Sequence, residues 1–194
     1  MLLPLQGTHI RRYYLKKMRE IITILGVPID NITKEESGTI TEELIKSSNK
    51  SCKMVFAPNV EFIMIANKDK EFFDILKKSS LSTPDSIGVM IGAKLQHKKF
   101  KERIPGQTYF RQIISLSNEK GYSIYLLGGK EGIAKETKTN LEKIFPNVNI
   151  VGTHHGYFDE NEEKEVIEEI NKLQPNVLFV ALRSTISRKM DSKA

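Results

Sequence analysis

Cysteine is almost absent from this chain: Cys52 is the only one in 194 residues. A lone thiol excludes an intrachain disulfide and a cysteine-built metal cluster, and it fits a reducing compartment. Long apolar runs are missing as well. No stretch approaches the roughly 18 residues that span a bilayer, and residues 1–17 lack the uninterrupted apolar centre of a signal peptide, so a cytoplasmic protein is expected. Internal repeats and low-complexity linkers are not found. With 39% hydrophobic residues the chain can bury a full core, and its length lies within the range of about 100–200 residues expected of one domain.

Charge is present with both signs but unevenly spread. Lys and Arg number 30 against 24 Asp and Glu, a formal net charge of +6, yet Lys94 to Arg103 is strongly basic and Asp159 to Glu169 strongly acidic. A basic patch of this kind meets nucleic acid, a phosphorylated sugar or an anionic membrane, or is simply a solvated face. The interleaved aromatics that would stack nucleic-acid bases are missing from it.

Short apolar runs alternate with longer amphipathic segments. Ile21 to Leu25, Cys52 to Phe56, Ser123 to Leu127, Asn149 to Thr153 and Asn176 to Leu182 read as strands, the one at Cys52 as buried. Residues 26–30 read as a turn-like link. Thr33 and Glu36 form a capping-box pattern for a helix running to about Ser47, despite Gly38. Glu61 to Asn67, Asp69 to Lys78, Gly106 to Lys120, Lys130 to Phe145 and Glu160 to Leu173 read as further helices, the last with Val166, Ile167, Ile170 and Leu173 on one stripe. Strands and helices in alternation predict an α/β fold, an open and mostly parallel sheet flanked by helices, Rossmann-like.

Such folds bind ligands where strands end, and the chemistry-bearing residues gather there. Asn59 follows Pro58, which cannot continue a sheet ladder, so its amide sits between strand and helix. Asp85 stands in a Pro-Asp-Ser turn, where a carboxylate can take a proton from an attacking hydroxyl or merely form the turn. Arg103 precedes the helix opening at Gly106 and could clamp a phosphate or make a surface ion pair. Gly128 and Gly129 end a strand, where small residues let backbone N–H groups approach a diphosphate; they also make a plain tight turn. Residues 149–158 deliver His154, His155 and Tyr157 to another strand end. Adjacent histidines there are expected on opposite faces, and no further Cys or His has ligand spacing, which argues against zinc.

Five segments share one register: Ala-Pro-Asn-Val-Glu-Phe (57–62), Pro-Asp-Ser-Ile-Gly-Val (84–89), Glu-Arg-Ile-Pro-Gly (102–106), Leu-Leu-Gly-Gly (126–129) and Gly-Thr-His-His-Gly-Tyr-Phe (152–158). In order and spacing, from Ile21 to Leu182, they resemble the WecG/TagA/CpsF glycosyltransferase family, and the last is closest to its teichoic acid branch. The resemblance implies an inverting enzyme without metal or cofactor. It would move N-acetylmannosamine from UDP-N-acetylmannosamine to undecaprenyl-diphosphate-linked N-acetylglucosamine, at the inner face of the cell membrane. By position, Asp85 would be the base, Asn59 and Arg103 would line the donor pocket, Gly128 and Gly129 would face nucleotide phosphate, and Tyr157 would sit by the uracil. Residues 18–182 would be the transferase core. No nucleic-acid partner is implied, and a homo-oligomer stays open. A non-catalytic nucleotide-sugar-binding module is the competing expectation, with a basic nucleic-acid-binding domain third.

Departures from the family pattern are specific. Ala57 stands for a threonine, Ser86 for a glycine whose backbone freedom it would have to do without, and Thr108 for an acidic residue. Residues 1–17 read as an extension, with Met18 a second candidate start. After Leu182 the family continues with a glycine, a Gln-Glu-Lys-Trp motif and a membrane-docking tail, whereas residues 183–194 differ. Codons AGA AAA ATG GAT for Arg188 to Asp191, read one base later, give Glu-Lys-Trp; Met190 and Asp191 alone force the tryptophan. A frameshift near Leu182 is therefore expected, leaving a truncated and impaired transferase, and the gene sequence tests it.

Overall fold

The computed structural model describes residues 19–47 and 52–182. The extension at 1–17, Met18 and the tail at 183–194 lie outside them. Two compact units divide after Phe110. Both are α/β, and parallel strand pairing predominates.

The first unit opens with a hairpin of β1 (Ile21–Ile24) and β2 (Val27–Asp30), paired antiparallel with Ile24 opposite Val27. Of the expected link at 26–30, residues 27–30 are thus a strand and only Gly26 belongs to a turn. Leu25 and Gly26, both at positive φ (45° and 85°), form a two-residue turn whose twist suits adjacent strands, so pairing resumes at once. The alternating side chains Ile22, Ile24, Val27 and Ile29 enter the main core with Leu76, Val89, Ala93 and Phe100.

Thr33 caps α1 (Lys34–Lys46) and the reciprocal Glu36 bond completes the capping box. The Glu36 carboxyl is held below the usual carboxylate range, chiefly by the Lys101 hydrogen bond and then by the Thr33 backbone. Its contribution is present above the ordinary carboxylate pKa and is lost as acid protonates the folded form.

Next come β3 (Val55–Phe56), α2 (Val60–Ala66), α3 (Lys70–Lys77), β4 (Leu81–Ser82) and α4 (Ile87–Leu95). The expected buried strand at Cys52 shrinks to two residues, and Cys52 is exposed. β3 and β4 are parallel, with Phe56 opposite Ser82.

A buried polar contact ties the hairpin to β4. The Asp30 carboxylate accepts from Ser82 N at 2.7 Å and pairs with Arg19 at 3.3 Å, while Arg19 also donates to Ser80 O at 3.0 Å. Asp30→Ala would strand a largely buried guanidinium. A loss of about 3 kcal/mol is expected, read as a lower urea midpoint at unchanged m-value.

In the second unit, α5 (Gly106–Lys120) crosses its boundary and ends at Gly121, as the sequence predicts. β5 (Ser123–Gly128), α6 (Ile133–Ile144), β6 (Asn149–His154), α7 (Glu160–Leu173) and β7 (Val177–Ala181) follow. The strands form a parallel sheet in the order β6-β5-β7. β6 and β7 therefore flank the buried β5, as in a Rossmann-like sheet, and ligand crevices in such sheets open at the carboxyl ends of the strands. Tyr125, Leu127 and Val166 form the core there. The expected α7 stripe is narrower: Val166 is buried, but Ile167 is half exposed.

Candidate active site

Three sequence-selected residues meet in the first unit. β3 and β4 run side by side, and each is followed by a residue, a proline and an Asx: Ala57-Pro58-Asn59 and Thr83-Pro84-Asp85. Because Phe56 faces Ser82, the same offset carries Asn59 and Asp85 to the same end of the pair. Each proline stops the ladder, and a helix then starts. Asn59 caps α2 through its Oδ1, which accepts from Phe62 N at 2.9 Å. Ser86 caps α4.

Arg103 arrives on a third segment. Ile104 N donates to Pro84 O at 2.7 Å, and the Asp85 Oδ1 accepts from Gly106 N at 2.6 Å. The carboxylate thus caps the first turn of α5, and its second oxygen has no hydrogen-bond partner among the described residues. Asn59, Asp85 and Arg103 line one cavity of about 520 Å³ with Val60, Ile87 and Pro105. Arg103 makes no ion pair among the described residues, which leaves its charge available to an anion.

The departures can be placed. Ala57 lies beside the site, since a Cβ on Gly106 would come 3.7 Å from that of Ala57 and 3.8 Å from Asp85 Oδ1. Ser86 has φ −103° and ψ 158°, extended backbone that any residue adopts. The expected demand for glycine freedom is absent, and the hydroxyl serves as a cap instead. Thr108 lies in the first turn of α5. Thr83 was not singled out by sequence, yet its hydroxyl is buried without a partner among the described residues, two positions from Asp85. No sequence signal marks it, since burial alone makes that oxygen notable.

The remaining predicted residues belong to the second unit. Gly128 ends β5 at φ 139°, and a Cβ there would lie 2.3 Å from Ala181 O. Gly129 N donates to Ala181 O at 3.2 Å and Gly129 O accepts from Gly156 N at 2.8 Å, so the turns after β5 and β6 are stitched together. The helix begins after Gly132, not at Lys130, and no side chain caps it.

Tyr157, half exposed, lines a pocket of about 530 Å³ with Lys130, Glu131, His155 and Glu162. No sequence signal marks Lys130 or Glu162, since each looks like one charge among many on a solvated surface. The two histidines do not diverge as expected. His154 Nδ1 lies 2.9 Å from His155 O, and the rings stack obliquely with centroids 4.3 Å apart, because the chain turns out of the strand between them.

Residues 22–185 match the family model of the glycosyl transferase WecG/TagA/CpsF family. The chain belongs to this family. Among curated members, an N-acetylglucosaminyldiphosphoundecaprenol N-acetyl-beta-D-mannosaminyltransferase of Bacillus subtilis (strain 168) is 32% identical over 124 residues, covering 64% of this chain and 48% of the relative. Its namesake from Staphylococcus aureus (strain NCTC 8325 / PS 47) is 22% identical over 161 residues, 83% of this chain and 63% of the relative. The chain thus spans about half to two thirds of the length of these family members. No helix among the described residues is long and apolar enough to cross a membrane.

Proposed function

We propose that this chain is a glycosyltransferase that moves N-acetylmannosamine from UDP-N-acetylmannosamine to undecaprenyl-diphosphate-linked N-acetylglucosamine, with inversion, at the inner membrane face. Residues 18–182 are its transferase core. The observation that carries this reading is the shared cavity of Asp85, Asn59 and Arg103, a base, an amide and an unpaired cation held at adjoining strand ends.

The chemistry suits a single displacement. Asp85 takes the proton from the acceptor hydroxyl as its oxygen attacks the anomeric carbon, the bond to the UDP oxygen breaks, and UDP leaves with the electron pair. Arg103 opposes the negative charge that builds on the departing diphosphate, and the Asn59 Nδ2, without a hydrogen-bond partner among the described residues, orients the donor while its Oδ1 caps α2.

Nucleotide recognition falls to the second unit. Gly129 has its N–H engaged, so a phosphate near the glycine turn would face Lys130 and the uncapped N-terminus of α6, both favourable to an anion. Tyr157 offers its ring to the uracil. Tyr157→Ala is expected to weaken UDP binding about 5- to 150-fold, the range set by roughly 1–3 kcal/mol for aromatic–base stacking, with calorimetric titration as the measurement.

A radiolabelled transfer assay with the lipid-linked acceptor tests the reading as a whole. Label appearing in the lipid fraction supports it. UDP binding without any transfer would instead favour a nucleotide-sugar-binding module.

A further inference from the structure

Helix α4, Ile87–Leu95, carries one charged residue, Lys94. A helix apolar around its whole circumference is ordinarily buried, but only the inward side of this one is. Val89 and Ala93 are fully buried in the main core, whereas Ile87, Ile91 and Leu95 are 63%, 53% and 78% exposed. Spacing of four residues sets these three on one stripe along the axis. On α2, Val60 and Met64 repeat the pattern at 46% and 47%. The two helices meet at Gly88, where a Cβ would come 2.3 Å from Val60 Cγ2.

Cations gather at the C-terminal end of the stripe, while the exposed Glu61 lies near its other end, lining the cavity with Val60 and Ile87. Lys94 lies on α4 itself, and Gln96 to Lys99 continue exposed beyond it, with His97, Lys98 and Lys99. Lys94, Lys98 and Lys99 make no ion pair among the described residues, whereas Lys101 is neutralised by Glu36 at 2.9 Å.

We propose that this face of α4, with the lysines that follow it, docks the protein on an anionic lipid bilayer. Aliphatic side chains enter the acyl boundary and unpaired lysines meet the headgroups. A second copy of the chain would bring the same net charge of +6; an anionic bilayer supplies the opposite sign. The inference rests on the transferase reading for its purpose. Val60, Ile87 and Gly88 also line the Asp85 cavity, so docking here opens that cavity where a lipid-linked diphosphate presents its sugar.

Vesicle sedimentation decides it. With the full chain, binding is expected to vesicles of equal parts phosphatidylglycerol and phosphatidylcholine, weakening with salt and vanishing for phosphatidylcholine alone. Lys98→Gln with Lys99→Gln should lower partitioning about 25-fold, from roughly 1 kcal/mol or about fivefold per cation. Ile91→Ser with Leu95→Ser should abolish it, while Ile144→Ser, 68% exposed on α6, should leave it unchanged. Partitioning unaffected by either double variant would overturn the proposal. So would a parent chain that ignores phosphatidylglycerol, or one that merely forms a dimer dissolved by Leu95→Ser. UDP titration of the same samples separates the two readings. A chain that binds vesicles but no UDP keeps the docking face and loses the transferase; the reverse result sinks only the docking face.

Discussion

Gly128→Ala is expected to destabilise the second unit by about 2–6 kcal/mol, combining backbone strain with overpacking. The added methyl would sit 2.3 Å from Ala181 O, at φ 139°. Backbone oxygen in a paired strand cannot swing aside as a flexible side chain does, so β5 and β7 must part where they are hydrogen-bonded. Gly121 provides the contrast, with φ 74° and nothing within 4 Å of a built Cβ. Gly121→Ala should therefore cost only about 1 kcal/mol, the strain alone. Denaturant unfolding of the two variants, followed through near-ultraviolet circular dichroism, checks the difference; equal losses would show that the close approach to Ala181 is unimportant.

The second large effect falls on activity. Asp85→Asn should lower sugar transfer about 10²- to 10⁴-fold, the usual contribution of a positioned general base, with UDP affinity nearly unchanged. Asparagine keeps an oxygen to accept from Gly106 N, the 2.6 Å bond that caps α5, so the fold loses little. What disappears is an oxygen able to hold the acceptor's proton. Because the loss lies in the chemical step, kcat should fall while donor KM stays. Asp85→Ala removes the cap as well and should also lower the unfolding midpoint. An Asp85→Asn variant as active as the parent would take Asp85 out of the mechanism.

Local signals are legible in the sequence wherever a side chain acts within a few residues of itself. The Thr33–Glu36 box, the end of α5 at Gly121 and the strand before Gly128 are such cases. The hairpin was illegible because its turn places Leu25, not an asparagine or glycine, at positive φ. Cys52 misled because an apolar, strand-prone run says nothing of which neighbour will cover it. At the histidine pair, strand alternation does not apply, because the strand ends at His154 and His155 lies beyond it.

The site shows the same division. Asn59, Asp85 and Arg103 were each visible as residues able to act, but their meeting depends on the β3–β4 register and on the Ile104 to Pro84 bond. Those are contacts between distant segments, which no local pattern encodes; the family resemblance stood in for them. Thr83 stays hidden because only burial marks its hydroxyl, and Lys130 because it looks like one charge among many.

Calorimetric titration of the folded chain with uridine diphosphate tests the central claim most directly. One saturable site per chain is predicted, weakened in Tyr157→Ala and unaltered in Asp85→Asn, with no comparable heat from a duplex oligonucleotide. A folded sample that gives no heat with uridine diphosphate, or an equal response to the oligonucleotide, would contradict it.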